Sequence, residues 1–416
     1  MKFNFLQYLK NSQLLTNLAF LALLISGAYI ILLWSPNVLG KYNSSNFEII
    51  IFLIPLIILC PIYFLNINKN IAHRFELILI FIIIIVGVFN TIFSDNPTNT
   101  YPRMRLFITT GVMALWASMF LLTNQRKRDV FAWFCCFCLA IIAPVELLGF
   151  FTNWIGPGPF QIFDLHQIPL GTKMILLSPG PIHLLLAPDP KKRVAGGVLA
   201  FLALLVIFLT GKRGTLLACA AMAIVWLYYY IPRLRAITAA VGLAIVLSLP
   251  ITGSMIYNKL DPQILKHYSD LHRLELYLFA HHIWEQHPIL GMGLRAYTHQ
   301  KYLTNYNQSD KRLNEFPTWV KKLQTFDDMY VTLFVECGTL MALLYLILII
   351  YIVFGYWRKL NYSETRAEDW YQLLVILGFG IHSLTYDSLV FPAINWLFHV
   401  QLGLLAGYQS VKIAQE

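Results

Sequence analysis

The chain has 416 residues, of which 58% are hydrophobic and only 12% are charged. Soluble domains carry about 25% charged residues, so this composition excludes an ordinary soluble protein. The net charge of +10 could indicate nucleic-acid binding, but basic membrane proteins usually owe such an excess to their cytoplasmic loops. The sequence therefore predicts an all-α polytopic membrane protein whose partners include membrane lipids and no nucleic acid.

Apolar runs of about 18–20 residues, the length that crosses a bilayer, predict about twelve transmembrane helices. The first run follows "MKFNFLQYLKNSQ" without a small-residue cleavage site nearby, which favours a retained helix over a signal peptide. The segment "SPGP" at 178–181 breaks the sixth run, and broken helices at membrane depth usually line cavities. The predicted spans are 14–34, 47–66, 75–93, 106–123, 129–151, 172–187, 194–210, 214–231, 235–251, 328–356, 370–387 and 391–410.

The distribution of Lys and Arg predicts the orientation. With a cytoplasmic N-terminus, sixteen of them fall on the cytoplasmic side and six in short outer loops. Both termini are then cytoplasmic, and the long segment at 252–327 faces the periplasm, or the cell exterior if there is no outer membrane. We expect three regions: helices 1–9 in residues 1–251, a periplasmic loop domain at 252–327, and helices 10–12 with a cytoplasmic tail at 328–416.

The turn between the seventh and eighth spans, "TGKRGTLL", places Lys212 and Arg213 on the outer side. Cations there oppose insertion, and at membrane depth each costs about 2.5–3.5 kcal/mol. An arginine fixed at this level could grip a phosphate bidentately. The alternative is a pair that extends to the lipid headgroups.

The long outer loop contains an amphipathic helix, "SDLHRLELYLFAHHIWEQHP", which Ser269 or Asp270 could cap. Arg273, Tyr277 and His281 recur at four-residue intervals on one face. They could form a binding face, although an ordinary solvated face has the same pattern. The following "HPILGMGL" leads directly to Arg295, a further candidate for substrate binding.

Carboxylates mark two other outer segments. Asp327 and Asp328 begin the tenth span, where capping alone could explain them, or where one could act as a general base. Tyr330, in the same segment, and Asp387, at the outer end of the eleventh span, are candidate substrate-binding residues. Glu336 lies deeper and should have a partner.

Neither the eleven histidines nor the six cysteines show the spacing of a metal or redox site, so we expect no metal and no cofactor. The segments "TGKRGTLL", "RLELYLFAHHIWEQHPILGMGL", "DDMYVTLFVECGTL" and "LTYDSLVFPAINWLF" resemble, in this order, the O-antigen ligase and polymerase superfamily. The resemblance covers roughly residues 170–410, and the first five spans match only in topology.

The resemblance implies a metal-independent, inverting glycosyltransferase that uses a polyprenyl (undecaprenyl) diphosphate-linked glycan as donor, with its active site on the outer, periplasmic face of the bacterial inner membrane. The acceptor would be a hydroxyl of lipid A-core or another glycolipid or glycan. It implies that Arg213 and Arg273 bind the donor diphosphate. The base, a histidine in typical ligases, would fall at Asp327, a departure that weakens the case for a ligase against a repeat-unit polymerase.

A transporter or flippase of polyprenyl-linked glycan is the alternative from another class. It should place paired charges near the membrane midplane and show repeat symmetry. In this sequence the polar residues concentrate on one side, which favours an enzyme.

Overall fold

The computed structural model describes residues 13–33, 53–55, 57–59, 74–152, 167–230, 269–296, 326–362 and 367–413. Every element assigned in these ranges is helical, which confirms the all-α prediction. The predicted ninth span, 235–251, and most of the second, 47–66, lie outside the described residues.

The α-helices are numbered here in chain order. They are α1 (Gln13–Ala28), α2 (Arg74–Ile92), α3 (Pro97–Leu106), α4 (Met113–Leu121), α5 (Gln125–Thr152), α6 (Gln167–Leu177), α7 (Pro179–Leu185), α8 (Pro190–Thr210), α9 (Arg213–Tyr230), α10 (Ser269–Gln286), α11 (Met329–Glu336), α12 (Gly338–Tyr362), α13 (Ala367–Ser383) and α14 (Pro392–Ile413). A π-helical segment, Phe107–Val112, joins α3 to α4.

Among the described residues, six helical segments are long and apolar enough to cross a membrane. They are Gln13–Leu32, Phe75–Ile92, Pro97–Leu121, Gln125–Phe151, Pro190–Thr210 and Gly338–Asn361. The predicted sixth span is divided at Ser178 into α6 and α7, and the predicted tenth at Cys337 into α11 and α12. The total of about twelve spans remains a prediction.

Local sequence sets the ends of α8. The Asp189 side chain accepts a hydrogen bond from the Lys191 N–H (2.9 Å), and Pro190 occupies the first turn, where its missing N–H costs nothing. Gly211 ends the helix with a left-handed backbone (φ 62°), a conformation that glycine adopts without steric cost. The chain therefore turns sharply after α8 and starts α9 two residues later.

The last helix, α14, forms the centre of the bundle and is buried throughout 392–407. Its polar side chains have partners on the surrounding helices, as buried polar groups require. Asn395 donates to Thr110 Oγ1 (2.9 Å), His399 is hydrogen-bonded to the Tyr345 hydroxyl (3.0 Å), and Gln401 donates to the Leu176 carbonyl (2.8 Å).

The loops gather at the two ends of the bundle. At one end, Ser94 donates to the Met292 carbonyl (3.0 Å), and the Asp95 carboxylate lies 3.3 Å from His287. These residues belong to predicted outer segments. At the other end, Glu368 lies 3.1 Å from His183, both near predicted cytoplasmic loops. The grouping of loops agrees with the predicted topology, while the compartment that each end faces remains a prediction.

Adjacent glycines on α8 offer a direct test of the packing between α7 and α8. A Cβ on Gly196 would lie 2.6 Å from the Leu185 nitrogen and 2.7 Å from the Pro181 carbonyl oxygen, whereas one on Gly197 would meet nothing closer than 3.8 Å. We expect Gly196→Ala to destabilise the protein by about 1–3 kcal/mol, because backbone atoms cannot move aside easily. Thermal unfolding in detergent measures this, and Gly197→Ala, expected to be neutral or slightly stabilising, is the matched control.

Candidate active site

The start of α9 packs against the loop that joins α13 to α14. A Cβ on Gly214 would collide with the Thr385 side chain, so glycine is required for this close approach. Lys212 is half-buried in the preceding turn. Arg213 begins α9, and its side chain lies outside the described part of the structure. The contact brings the backbone of Arg213 close to the loop that carries Asp387.

The glycine-rich segment after α10 lies across the junction of α11 and α12. Gly293 donates its N–H to the Glu336 carbonyl (2.9 Å), and Gly291 packs so closely on Gly338 that a Cβ on either would strike the backbone of the other. Gly291 and Gly293 have positive φ angles of 73° and 99°. This segment therefore needs its glycines for backbone geometry and close packing.

Arg295 ends the glycine-rich segment in an unusual backbone conformation. Its φ is 58°, its side chain is buried, and its N–H donates to the Glu336 carboxylate at 2.8 Å. A non-glycine residue in the left-handed region is uncommon and persists where surrounding contacts enforce it. The hydrogen bond to Glu336 is such a contact, and it supplies the partner that the sequence predicts for this carboxylate.

Two arginines and two carboxylates line one small cavity at this end of the bundle. Arg103 from α3, Arg295, Glu336 and Asp387 enclose it together with Thr332. The space open to the centres of water molecules is about 50 Å³, enough for ordered water but not for a sugar. The cavity therefore brings together buried charged side chains from four segments that are distant in sequence.

Asp387 is one of the two buried carboxylates in the cavity. The residue is 2% exposed, and its Oδ2 has no hydrogen-bond partner among the described residues. Burial raises the pKa of its carboxyl to about 7, although the positive charge of Arg295 opposes the shift. The carboxyl can therefore exchange a proton near neutral pH.

The raised pKa of Asp387 predicts a specific pH dependence of stability. Between about pH 4 and pH 7 the folded state holds a proton that the unfolded state has lost. The free energy of unfolding should therefore fall as the pH rises through this window, by at most about 1.4 kcal/mol per pH unit. Apparent melting temperatures in detergent across this range measure the slope. Asp387→Asn should remove the contribution of this carboxyl and so make the slope shallower, and an identical slope in both proteins would contradict the assignment.

The adjacent aspartates at the start of α11 have different environments. Asp328 caps the helix: its Oδ1 accepts the N–H groups of Tyr330 (2.8 Å) and Val331 (3.1 Å), and its Oδ2 accepts the Tyr277 hydroxyl (3.1 Å). Asp327 is half-buried and has a positive φ of 53°. Asp328 is therefore the N-cap residue of α11, the role that its position at the start of the helix already suggested. Asp327 does not cap the helix.

An open groove of about 460 Å³ runs between α10 and α11. Tyr277, His281, Trp284 and Tyr330 line it, and the Trp284 indole N–H donates to Thr339 Oγ1 (2.9 Å). His281 is exposed and lies 3.6 Å from Glu285. Arg273 belongs to α10, but its side chain lies outside the described residues. The predicted face of α10 therefore borders a groove beside Asp328, with Tyr277 linking the two.

Sequence reasoning did not include Arg103 and Glu336 among the candidate site residues, although both line the cavity. Arg103 carried a signal, since it is a cation in a predicted short outer loop, as is Lys212. No group of three or more His, Cys, Asp or Glu residues that could hold a metal ion occurs in the described part of the chain.

A comparison with protein families finds one match within this region. The matched residues, 198–346, extend from α8 into α12 and include Arg213, Asp327 and Glu336, whereas Arg103 and Asp387 lie outside them. A comparison with curated proteins finds no match. The family is described as O-antigen ligase, and the match confirms that this chain resembles that family across residues 198–346.

Proposed function

We propose that this protein is a membrane glycosyltransferase that moves a glycan from a polyprenyl diphosphate donor to an acceptor hydroxyl at the periplasmic face of the inner membrane. The family match supports an enzyme of the O-antigen ligase type with lipid-linked glycan substrates. The observation that carries the proposal is the convergence, at one end of the bundle, of three groups on the loop at 385–387: the start of α9 packs on Thr385, Arg295 shares a cavity with Asp387, and Asp327 lies near Tyr386.

In the proposed reaction the acceptor oxygen attacks the anomeric carbon of the first donor sugar. The bond from that carbon to the phosphate oxygen breaks, and polyprenyl diphosphate leaves with the electron pair. Asp327 accepts the proton of the acceptor hydroxyl. A single displacement inverts the anomeric configuration and requires no covalent enzyme intermediate.

The leaving group carries the charge that the enzyme must stabilise. In this proposal Arg213 binds the diphosphate, with Arg273 on the same group and Lys212 assisting at the headgroup level. Fixed cations in a site with little water stabilise developing negative charge strongly, which is the role that a metal ion has in other transferases. Arg295 and Asp387 border the reacting end, and Tyr277, His281 and Tyr330 border the groove that the glycan enters.

Purified full-length protein should transfer glycan from a polyprenyl-diphosphate-linked donor to a lipid A-core acceptor in the presence of a metal chelator. Gel mobility of the acceptor measures the transfer, and donor carrying only a monophosphate is the control for the leaving group. Absence of product with every lipid-linked glycan tested, from protein shown to be folded, would overturn the proposal.

A repeat-unit polymerase is the second candidate, because the resemblance would place the base, a histidine in typical ligases, at Asp327. The same site would then join one lipid-linked glycan to another. Surface polysaccharide from a deletion strain separates the two reactions on a gel. Loss of all attached chains indicates a ligase, whereas caps of a single repeat unit indicate a polymerase.

A further inference from the structure

A buried histidine near the end of α13 lies between the segments that carry Arg213 and Asp387. His382 is 1% exposed. Its Nε2 lies 2.8 Å from Thr172 Oγ1 of α6 and 3.1 Å from Ser388 Oγ, within hydrogen-bond distance of both hydroxyl groups. Both hydroxyl residues are buried, and Ser388 follows Asp387 directly. The imidazole therefore connects α6 to the loop that carries Asp387.

The Nδ1 side of the same imidazole contacts the start of α9. A Cβ on Gly214 would lie 3.4 Å from His382 Nδ1, so the ring packs directly against the residue that follows Arg213. The His382 carbonyl also accepts hydrogen bonds from the hydroxyl (2.7 Å) and the N–H (2.9 Å) of Thr385. Thr385 is the side chain that a Cβ on Gly214 would strike. His382 thus supports the first turn of α9 directly through its ring and indirectly through Thr385.

Helix α6 contacts the same turn of α9 independently. A Cβ on Gly171 would lie 2.8 Å from Thr215 Cγ2, and Thr215 is buried. Thr172, the hydrogen-bond partner of His382, follows Gly171 in α6. The first turn of α9 therefore packs against both α6 and the loop after α13, which are the two elements that His382 links.

We propose that His382 is a positioning residue that fixes the start of α9 and so holds Arg213 in place for the donor diphosphate. This inference rests on the proposed function for the role of Arg213. Because His382 is buried, it would act through Arg213 and not on the substrate itself. Loss of its polar ring would leave the buried Thr172 and Ser388 hydroxyl groups without a shared partner, which loosens such a network.

Hydrogen exchange tests this link without any substrate. The Leu216 N–H donates to the Lys212 carbonyl (3.2 Å), so exchange of amides 216–219 reports on the first turn of α9. His382→Phe keeps a planar ring and removes both ring nitrogens, whereas His382→Gln keeps a polar group near the position of Nε2. In full-length protein in detergent, these amides should exchange at least about tenfold faster in His382→Phe and close to the wild-type rate in His382→Gln.

Gln401→Leu is the matched control for the loss of a buried hydrogen bond. Gln401, on α14, donates to the Leu176 carbonyl of α6 (2.8 Å), and the substitution removes this bond at similar side-chain volume. Both Gln401→Leu and His382→Phe should lower the melting temperature, because each leaves buried polar groups unsatisfied. Only His382→Phe should accelerate exchange at 216–219.

Binding of the carrier alone, undecaprenyl diphosphate, tests the connection to Arg213. Native mass spectrometry should show that His382→Phe weakens binding by about tenfold, His382→Gln by less, and Gln401→Leu not at all. Because His382 would act through Arg213, the double variant His382→Phe/Arg213→Ala should bind no more weakly than Arg213→Ala alone. Independent contributions would instead multiply.

The outcomes separate this inference from the proposed function. Unchanged exchange at 216–219 in folded His382→Phe, or multiplied effects in the double variant, would overturn the positioning role even if the wild type transfers glycan. Local acceleration with a non-additive loss of binding supports it. A wild type with these properties that transfers no glycan would overturn the proposed function and leave His382 supporting a diphosphate-binding arginine. If His382→Phe does not fold, Thr172→Val removes one hydroxyl at similar volume and carries the same tests.

Discussion

Replacing Arg213 with alanine is expected to lower glycan transfer, measured as kcat/KM for the lipid-linked donor, by about 10²–10³-fold. Loss of one fixed group that stabilises transition-state charge has this effect in other enzymes. The reason here is the position of Arg213 at the first residue of α9, where Gly214 packs against the Thr385 loop and fixes the start of the helix. In the wild-type protein, the Arg213 guanidinium is proposed to bind the departing diphosphate.

Three comparisons make this result specific. Arg213→Lys keeps the charge but loses the bidentate geometry, so it should retain more activity than the alanine variant. Lys212→Ala should cost less, because Lys212 is assigned an assisting role. Lys192→Ala removes an exposed cation near the opposite end of α8 and should have no effect. Transfer by Arg213→Ala at the wild-type rate, with an unchanged melting temperature, would refute the role of Arg213 in the mechanism.

The sequence was sufficient to predict local features of this site. The turn at Gly211, the cap at Asp328 and the break near Ser178 follow from residue chemistry within a few positions of each feature. The helices could also be predicted, because a long apolar segment that crosses a membrane has few other ways to satisfy its backbone hydrogen bonds. These features depend on neighbours along the chain.

The buried charged cavity could not be predicted in the same way. Arg103 and Glu336 are far apart in sequence, and they come together only because α3 and α11 border the same cavity. The close contact of Gly291 with Gly338 likewise joins two distant backbone segments. A sequence shows that a buried carboxylate such as Glu336 needs a partner, but only tertiary structure identifies the Arg295 N–H as one.

Asp327→Asn is expected to reduce kcat by about 10²–10⁴-fold, the usual contribution of a positioned general base. The structure distinguishes this residue from its neighbour. The Asp328 carboxylate accepts three hydrogen bonds, from two backbone N–H groups and the Tyr277 hydroxyl, so both of its oxygens are already engaged within the protein. Asp327 does not cap the helix and is partly accessible, so it can approach an acceptor hydroxyl.

Asp328→Asn is the matched control for this prediction. Loss of the charged cap and of the acceptor for Tyr277 should lower stability by about 0.5–2 kcal/mol, with a smaller effect on kcat than Asp327→Asn. The family resemblance implies a histidine as the base at this position, so Asp327→His should restore part of the activity lost in the asparagine variant. Melting temperature and kcat, measured on the same preparations, separate the two roles. If Asp328→Asn loses more kcat than Asp327→Asn while the two variants are equally stable, the base is Asp328. Only substitution of the residue that accepts the proton should lower turnover without destabilising the protein.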